Sequence, residues 1–136
     1  MIEHAIFDLL KSDTGIKSLA SSRIYPLVAP QGSAKPYVTY QKVAATRPLH
    51  LGGHNGQVRA VFRVDSWAQS SDGARSLADV VRVVLDHYSG EAKNHAIERI
   101  FLDGELDNWE FAIDGSEVIY GRVTQTWVVW YAESTN

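Results

Sequence analysis

Arg23 to Gln41 reads RIYPLVAPQGSAKPYVTYQ, and it holds three of the four prolines in the chain, Pro26, Pro30 and Pro36. Each proline fixes its own φ and pushes the residue before it towards extended geometry. No helix can run through Tyr25 to Lys35. The segment is an extended connector that delivers the chain into a strand starting near Tyr37.

Upstream of the connector, Ile2, Ile6, Leu9 and Leu10 fall at helical spacing, with Glu3, Asp8 and Lys11 elsewhere on the wheel. A helix from about Ile2 to Ser12 follows. Gly15 stands where a left-handed stop is common, and Ile16 to Ala20 adds one further turn.

Downstream, Tyr37 to Ala45 reads as a strand, rich in aromatic and β-branched residues. Thr46 to Gly56 (TRPLHLGGHNG) is a loop. Gln57 to Trp67 alternates, with Val58, Ala60, Phe62 and Val64 in one row and Gln57, Arg59, Arg63 and Asp65 in the other. One loop joins the two strands, so an antiparallel hairpin is the simplest pairing.

Ser70 and Ser71 can cap the next helix, with Asp72 near its positive end. Ala74, Leu77, Ala78, Val81, Leu85 and Tyr88 form an apolar stripe, and Gly90 ends the helix. Arg75–Asp79 and Arg82–Asp86 are i, i+4 pairs on its outer side. Ala96 to Leu102 reads as a strand, and Asp103 to Trp109 is acidic and turn-prone. Glu110 to Ile113 could add a short strand or edge. Val118 to Glu133 is the last strand, with Gly121 as a bulge or twist point.

The expected architecture is therefore α+β. A single antiparallel or mixed sheet of about four strands carries two main helices on one face, in the order α-β-β-α-β-β. A chain of 136 residues is one domain, 1–136, with a folded surface of roughly 7,000 Å².

Composition excludes several classes. The net charge of −3 gives no basic footprint for sequence-specific nucleic-acid binding. The absence of cysteine excludes disulfides and cysteine-ligated metals. The longest apolar run is far short of the ~18 residues of a membrane span. The N-terminus has no basic leader region, so it does not read as a signal peptide and the cytoplasm is the expected compartment.

Candidate chemistry is sparse, and no cofactor is expected. His50 and His54 lie four apart in a glycine-rich loop and supply two ligands at most to a zinc site that would want three or four. Asp103, Glu105, Asp107, Glu110, Asp114 and Glu117 cluster, but their glycine is misplaced for a calcium loop and no closing glutamate follows. A solvated acidic loop is the better reading. No serine stands in a nucleophile elbow. LGGHNG lacks the lysine and the strand-to-helix context of a phosphate loop. Trp67, Trp109, Trp127 and Trp130 have too few basic neighbours for a single-strand stacking platform.

The positive signal is excess apolar surface. Trp127, Val129 and Tyr131 face one side of the last strand, Val128 and Trp130 the other, and Val80, Val83 and Val84 widen the long helix beyond a one-sided stripe. Excess contiguous apolar surface marks an interface. A short element such as Ile16–Ala20 or Leu27–Val28 could instead cover the second face. Val80, Val84, Val128 and Trp130 are the candidate subunit-interface residues.

The order of these features resembles a family of tailed-bacteriophage and prophage proteins called tail completion, tail terminator or head-tail joining proteins. The resemblance is carried by IFDLLKSDTGIKSLASSRIYP, VAPQGSAKPYVTYQ, VRAVFRVDSWA, SLADVVRVVLDHY and VTQTWVVWYAE. It implies a small α+β subunit with no catalytic site, building a hexameric ring at the end of a tail tube. The implied partners are other copies of itself, a tail-tube protein and a head-tail connector protein. The implied location is the host cytoplasm during assembly, then the virion tail or head-tail junction. A ring subunit needs two patches that meet head-to-tail and loops that order on docking. In that light Arg47, Leu49, His50, Leu51 and His54 are the candidate partner-binding residues, although Thr46 to Gly56 also reads as a plain hairpin tip. The other class of function is a small enzyme or ligand- or metal-binding domain using His50, His54 or the acidic stretch Asp103 to Glu117.

Overall fold

The computed structural model describes residues 1–50, 53–54, 56–111 and 119–133. Among the described residues there are three helices: α1 (Ile2–Ser12), α2 (Thr14–Ala20) and α3 (Ser71–Leu85). The strands are β1 (Ile24–Pro26), β2 (Tyr37–Thr46), β3 (Leu49–His50), β4 (Gly53–His54), β5 (Gln57–Ala68), β6 (Gly90–Ala92), β7 (His95–Phe111) and β8 (Ile119–Ala132).

The main sheet has six strands in the order β1-β2-β5-β8-β7-β6, and β3–β4 form a separate two-stranded ribbon. The sheet is mixed, because β1 runs parallel to β2 while every other pair is antiparallel. This corrects the expected four-stranded sheet with two helices in the order α-β-β-α-β-β. The extra strands come from segments too short or too polar to show a strand pattern. β1 is three residues of the proline connector, held by the register Ile24↔Val38 to Pro26↔Tyr40. The acidic stretch expected as a loop is the second half of β7, paired with β8 as far as Phe111↔Ile119.

The connector otherwise behaves as its prolines require. No helix crosses Tyr25–Lys35, and β2 begins at Tyr37. α1 has the expected bounds and buries Ile2, Ala5, Ile6 and Leu10. Gly15 does not stop it. Asp13 ends α1 in extended geometry and accepts a hydrogen bond from the Ile16 amide at 2.9 Å, which starts α2 as a helix of its own. Ser70 caps α3 by accepting from the Gly73 amide at 3.0 Å. Of the expected stripe, Ala74, Leu77, Ala78, Val81 and Leu85 are buried, while Tyr88 lies beyond the end of α3 and is only partly buried. α3 ends at Leu85, five residues before Gly90, which opens β6.

One core joins all three helices to one face of the sheet, through Ile6, Leu10, Ile16, Leu77, Val81, Phe62, Trp127 and Val129. α1 touches β1 and β2 at one edge of the sheet and β6 at the other. A single helix can reach both edges only if the sheet curls around it. The helices fill the concave side, which leaves the convex side without helices.

Candidate functional site

Alternation places one row of each strand on that helix-free face. From β5 it presents Arg59, Val61, Arg63, Asp65 and Trp67, and from β8 Arg122, Thr124, Val128 and Trp130. Val128 is buried and Trp130 half-buried. The two-sided apolar character of β8 thus arises from a central position, between β5 and β7.

Asp65 organises the middle of this face. Its side chain is 7% exposed and accepts from Arg63 Nε at 2.9 Å, Arg122 Nε at 3.3 Å and Thr124 Oγ1 at 2.5 Å. Two guanidiniums and a hydroxyl satisfy one buried carboxylate, the condition under which burying a charge is tolerable. Beside it Trp67 Nε1 donates to Thr39 Oγ1 at 3.1 Å. An aromatic run Tyr25–Tyr37–Trp67–Tyr120 continues towards the β1 edge, with successive ring centroids 5.7–5.9 Å apart. Lys35 lies over Tyr120 and Arg122 over Trp67. The connector residues Leu27 to Ser33 wall off a cleft of about 760 Å³ against Tyr37, Arg63, Asp65, Trp67 and Tyr120. What this surface presents is shape, ring faces and cations. Among the described residues lining the cleft, the one carboxylate, Asp65, is engaged by Arg63 and Arg122.

At one end of the sheet, Arg47 donates in a fork to both carboxylate oxygens of Glu133, at 2.9 and 2.8 Å. The hydrogen bond from Arg47 holds the Glu133 carboxyl below its ordinary value. This pair ties the entrance of the β3–β4 ribbon to the end of β8. Leu49 in the ribbon is 73% exposed. His50 pairs with Gly53, and Leu49 with His54, along the backbone; the side chains of His50 and His54, and all of Leu51, lie outside the described residues.

On the helix side, Arg75 of α3 pairs with Glu105 and Asp107 of β7, and with Asp79 in its own helix at 3.8 Å. Gln125 Nε2, fully buried on β8, donates to Glu105 Oε2 at 2.8 Å and to the Ala78 carbonyl at 3.1 Å. The Gln125 bond first, and Arg75 next, hold the Glu105 carboxyl below its ordinary value, against a desolvation that pushes it up. The stretch expected as a solvated acidic loop is therefore structural as far as Phe111, while Asp114 and Glu117 lie outside the described residues. Among the described residues no group of three or more His, Asp or Glu side chains is placed to hold a metal ion.

Of the candidate interface residues, Val80 and Val84 pack partly against the core, while the neighbouring Val83 is 80% exposed. Val128 and Trp130 lie together on the helix-free face, away from both valines. One signal escaped the sequence reading altogether. Between Asp13 and Asp65 there is no acidic residue, only the basic Lys17, Arg23, Lys35, Lys42, Arg47, Arg59 and Arg63. Folding collects β1, β2 and most of β5 from that span. The other end of the sheet, β6 and β7, carries Glu91, Glu98, Asp103, Glu105, Asp107 and Glu110 against Lys93 and Arg99. The sheet is charge-polarised from one edge to the other. Among the described residues no helix is long and apolar enough to cross a membrane.

Comparison with known proteins gives two findings. The family described as tail completion protein gp17 matches residues 4–126. A chain from a structure titled "Virion of native gene transfer agent (GTA) particle" has the same fold, with a TM-score of 0.74 and 13% identity over 94% of this chain and 92% of that one. No curated protein matches the sequence.

Proposed function

We propose that this chain, which belongs to the tail completion protein gp17 family, is the ring-forming subunit that completes a phage or prophage tail tube and joins it to the head connector. Membership makes it a virion structural protein; the ring, its six-fold count and the two named partners are the proposal. The family match over residues 4–126 carries the reading. The geometry supports it, because the described surface offers a broad aromatic and cationic face and exposed apolar knobs. The work of such a protein is shape and burial, with no bond made or broken.

In this reading the β3–β4 ribbon, with Arg47, Leu49, His50, Leu51 and His54, meets the tail-tube or connector protein. Val80, Val84, Val128 and Trp130 contribute to contacts between copies. Assembly takes place in the host cytoplasm and ends at the virion tail or head-tail junction. The test is to add the purified chain to polymerised tail tubes of the same phage and image them by electron microscopy. A ring closing one end of each tube is the expected result. Bare ends on every tube, with the added chain left monomeric, would remove the proposal.

A further inference from the structure

We propose that neighbouring copies join head-to-tail by antiparallel strand addition, with the free edge of β2 (Gln41–Thr46) on one copy lying along the free edge of β7 on the next. The proposal rests on the ring reading above and names the surface that builds the ring.

Both edges of the six-stranded sheet are only partly closed. β1 covers β2 over Val38–Tyr40, and the Leu27 amide adds a bond to the Tyr40 carbonyl. β1 is itself a poor template. Pro26 has no N–H, its carbonyl accepts from Val28 at 2.7 Å, and the Ile24 amide donates to Ser22 at 2.9 Å. Beyond Tyr40, no strand among the described residues pairs the outer side of Gln41–Thr46, and every residue there is exposed. At the other edge, β6 covers His95–Ile97, and the His87–Tyr88 backbone exchanges hydrogen bonds with Ile100. From Phe101 to Asp107 no strand among the described residues pairs the outer side of β7. A row of open backbone donors and acceptors is a template for another strand.

Three further observations fit these two edges to each other. They lie at the same height: Gln41 is level with Arg63, Thr126 and Gly104, and Ala44 with Val61, Val128 and Phe101. A neighbouring copy related by a rotation thus brings Gln41–Ala44 beside Phe101–Gly104 without a large shift in register. The direction is right, since β2 and β7 run antiparallel within one sheet and do so again across the contact. The charges are opposite, Lys42 on the acid-free half, its ammonium 3.5 Å from Glu3 of α1 and one-third exposed, against Asp103 on the acidic half. Pairing β7 with β7, or β2 with β2, would oppose like charges, so the pattern selects the head-to-tail mode that closes rings over the two-fold mode that stops at dimers.

Cysteine chemistry tests this directly, because the chain contains none. Val43 is 57% exposed, and nothing lies within 4 Å of a Cβ built on Gly104. A Val43→Cys/Gly104→Cys variant, assembled with tail tubes and treated with a short bis-maleimide, should give a ladder of covalent multimers up to the closed ring, and each single variant should give none. In parallel, Asp103→Lys should cut the assembled fraction about tenfold at low salt, and Lys42→Glu in the same chain should restore it. Rings that form normally, with no ladder and no response to either charge change, would overturn the edge pairing and leave the ring reading standing. A parent chain that never assembles, even with tail tubes, would overturn both.

Discussion

Gly121 of β8 passes so close to Ser70 that a Cβ on residue 121 would stand 2.5 Å from the Ser70 carbonyl oxygen. The cap of α3 and the strand beneath it meet backbone to backbone, and only glycine allows that approach. Gly121→Ala should force the two apart and lower stability by about 1–3 kcal/mol. Gly104→Ala, with open space around its Cβ, should change stability by less than about 0.5 kcal/mol. Urea unfolding of the two variants side by side checks the contrast.

Asp65 is the shared acceptor of Arg63, Arg122 and Thr124. Asp65→Ala removes the buried carboxylate on which Arg63, Arg122 and Thr124 converge. The expected cost is about 2–4 kcal/mol, towards the lower end of what breaking a buried pair costs, because Arg63 is 44% exposed and can turn to water. Thermal unfolding should show the loss. An unchanged midpoint would mean that the hub contributes nothing to the fold.

The Gln125 and Arg75 bonds depress the Glu105 carboxyl in the folded state. A group depressed on folding stabilises fully above its unfolded value, about 4.5 here, and that contribution is lost as the pH falls through the folded value. Stability should therefore decline below about pH 4.5, and Glu105→Gln should lower it at neutral pH while flattening the decline on the acid side. Urea midpoints for both chains from neutral pH to pH 3 measure it. Parallel curves for the two chains would contradict the assignment.

How much of this was legible beforehand depended on whether an element's pattern was its own or its neighbour's. α1, α3 and β5 carry the apolar spacing of the face they bury, and the sequence places α1, β5 and the start of α3 at or near their observed bounds, while α3 stops five residues short of Gly90. β1 has three residues, one of them proline, and exists only because β2 lies alongside. The far half of β7 is acidic, so its strand character comes from β8 on one side and from Arg75 and Gln125 above it. α2 is a helix and not the single turn that Gly15 suggests, because the side chain of Asp13 caps its start. The β3–β4 ribbon was legible as an exposed connection with apolar residues, but its pairing was not. The acid-free span from Thr14 to Val64 was present in the sequence all along and acquires meaning only when the fold puts it on one half of the sheet.

Leu49 is exposed in the ribbon, and Leu51 follows it two residues on. Changing both to Asp should block attachment to tail tubes while leaving the unfolding midpoint within about 0.5 kcal/mol of the parent. Co-sedimentation with tubes, read beside circular dichroism of the free subunit, separates the two effects. Normal tail completion by the variant would remove the ribbon from the interface.

The central claim is that the molecule works as one stone in a closed ring. Light scattering coupled to size exclusion measures the mass of the particle that this 15.1 kDa chain forms alone and after mixing with tail-tube protein. The account expects a discrete species at six times the subunit mass, in one condition or the other. A single-subunit mass in both, at every concentration tried, would contradict it.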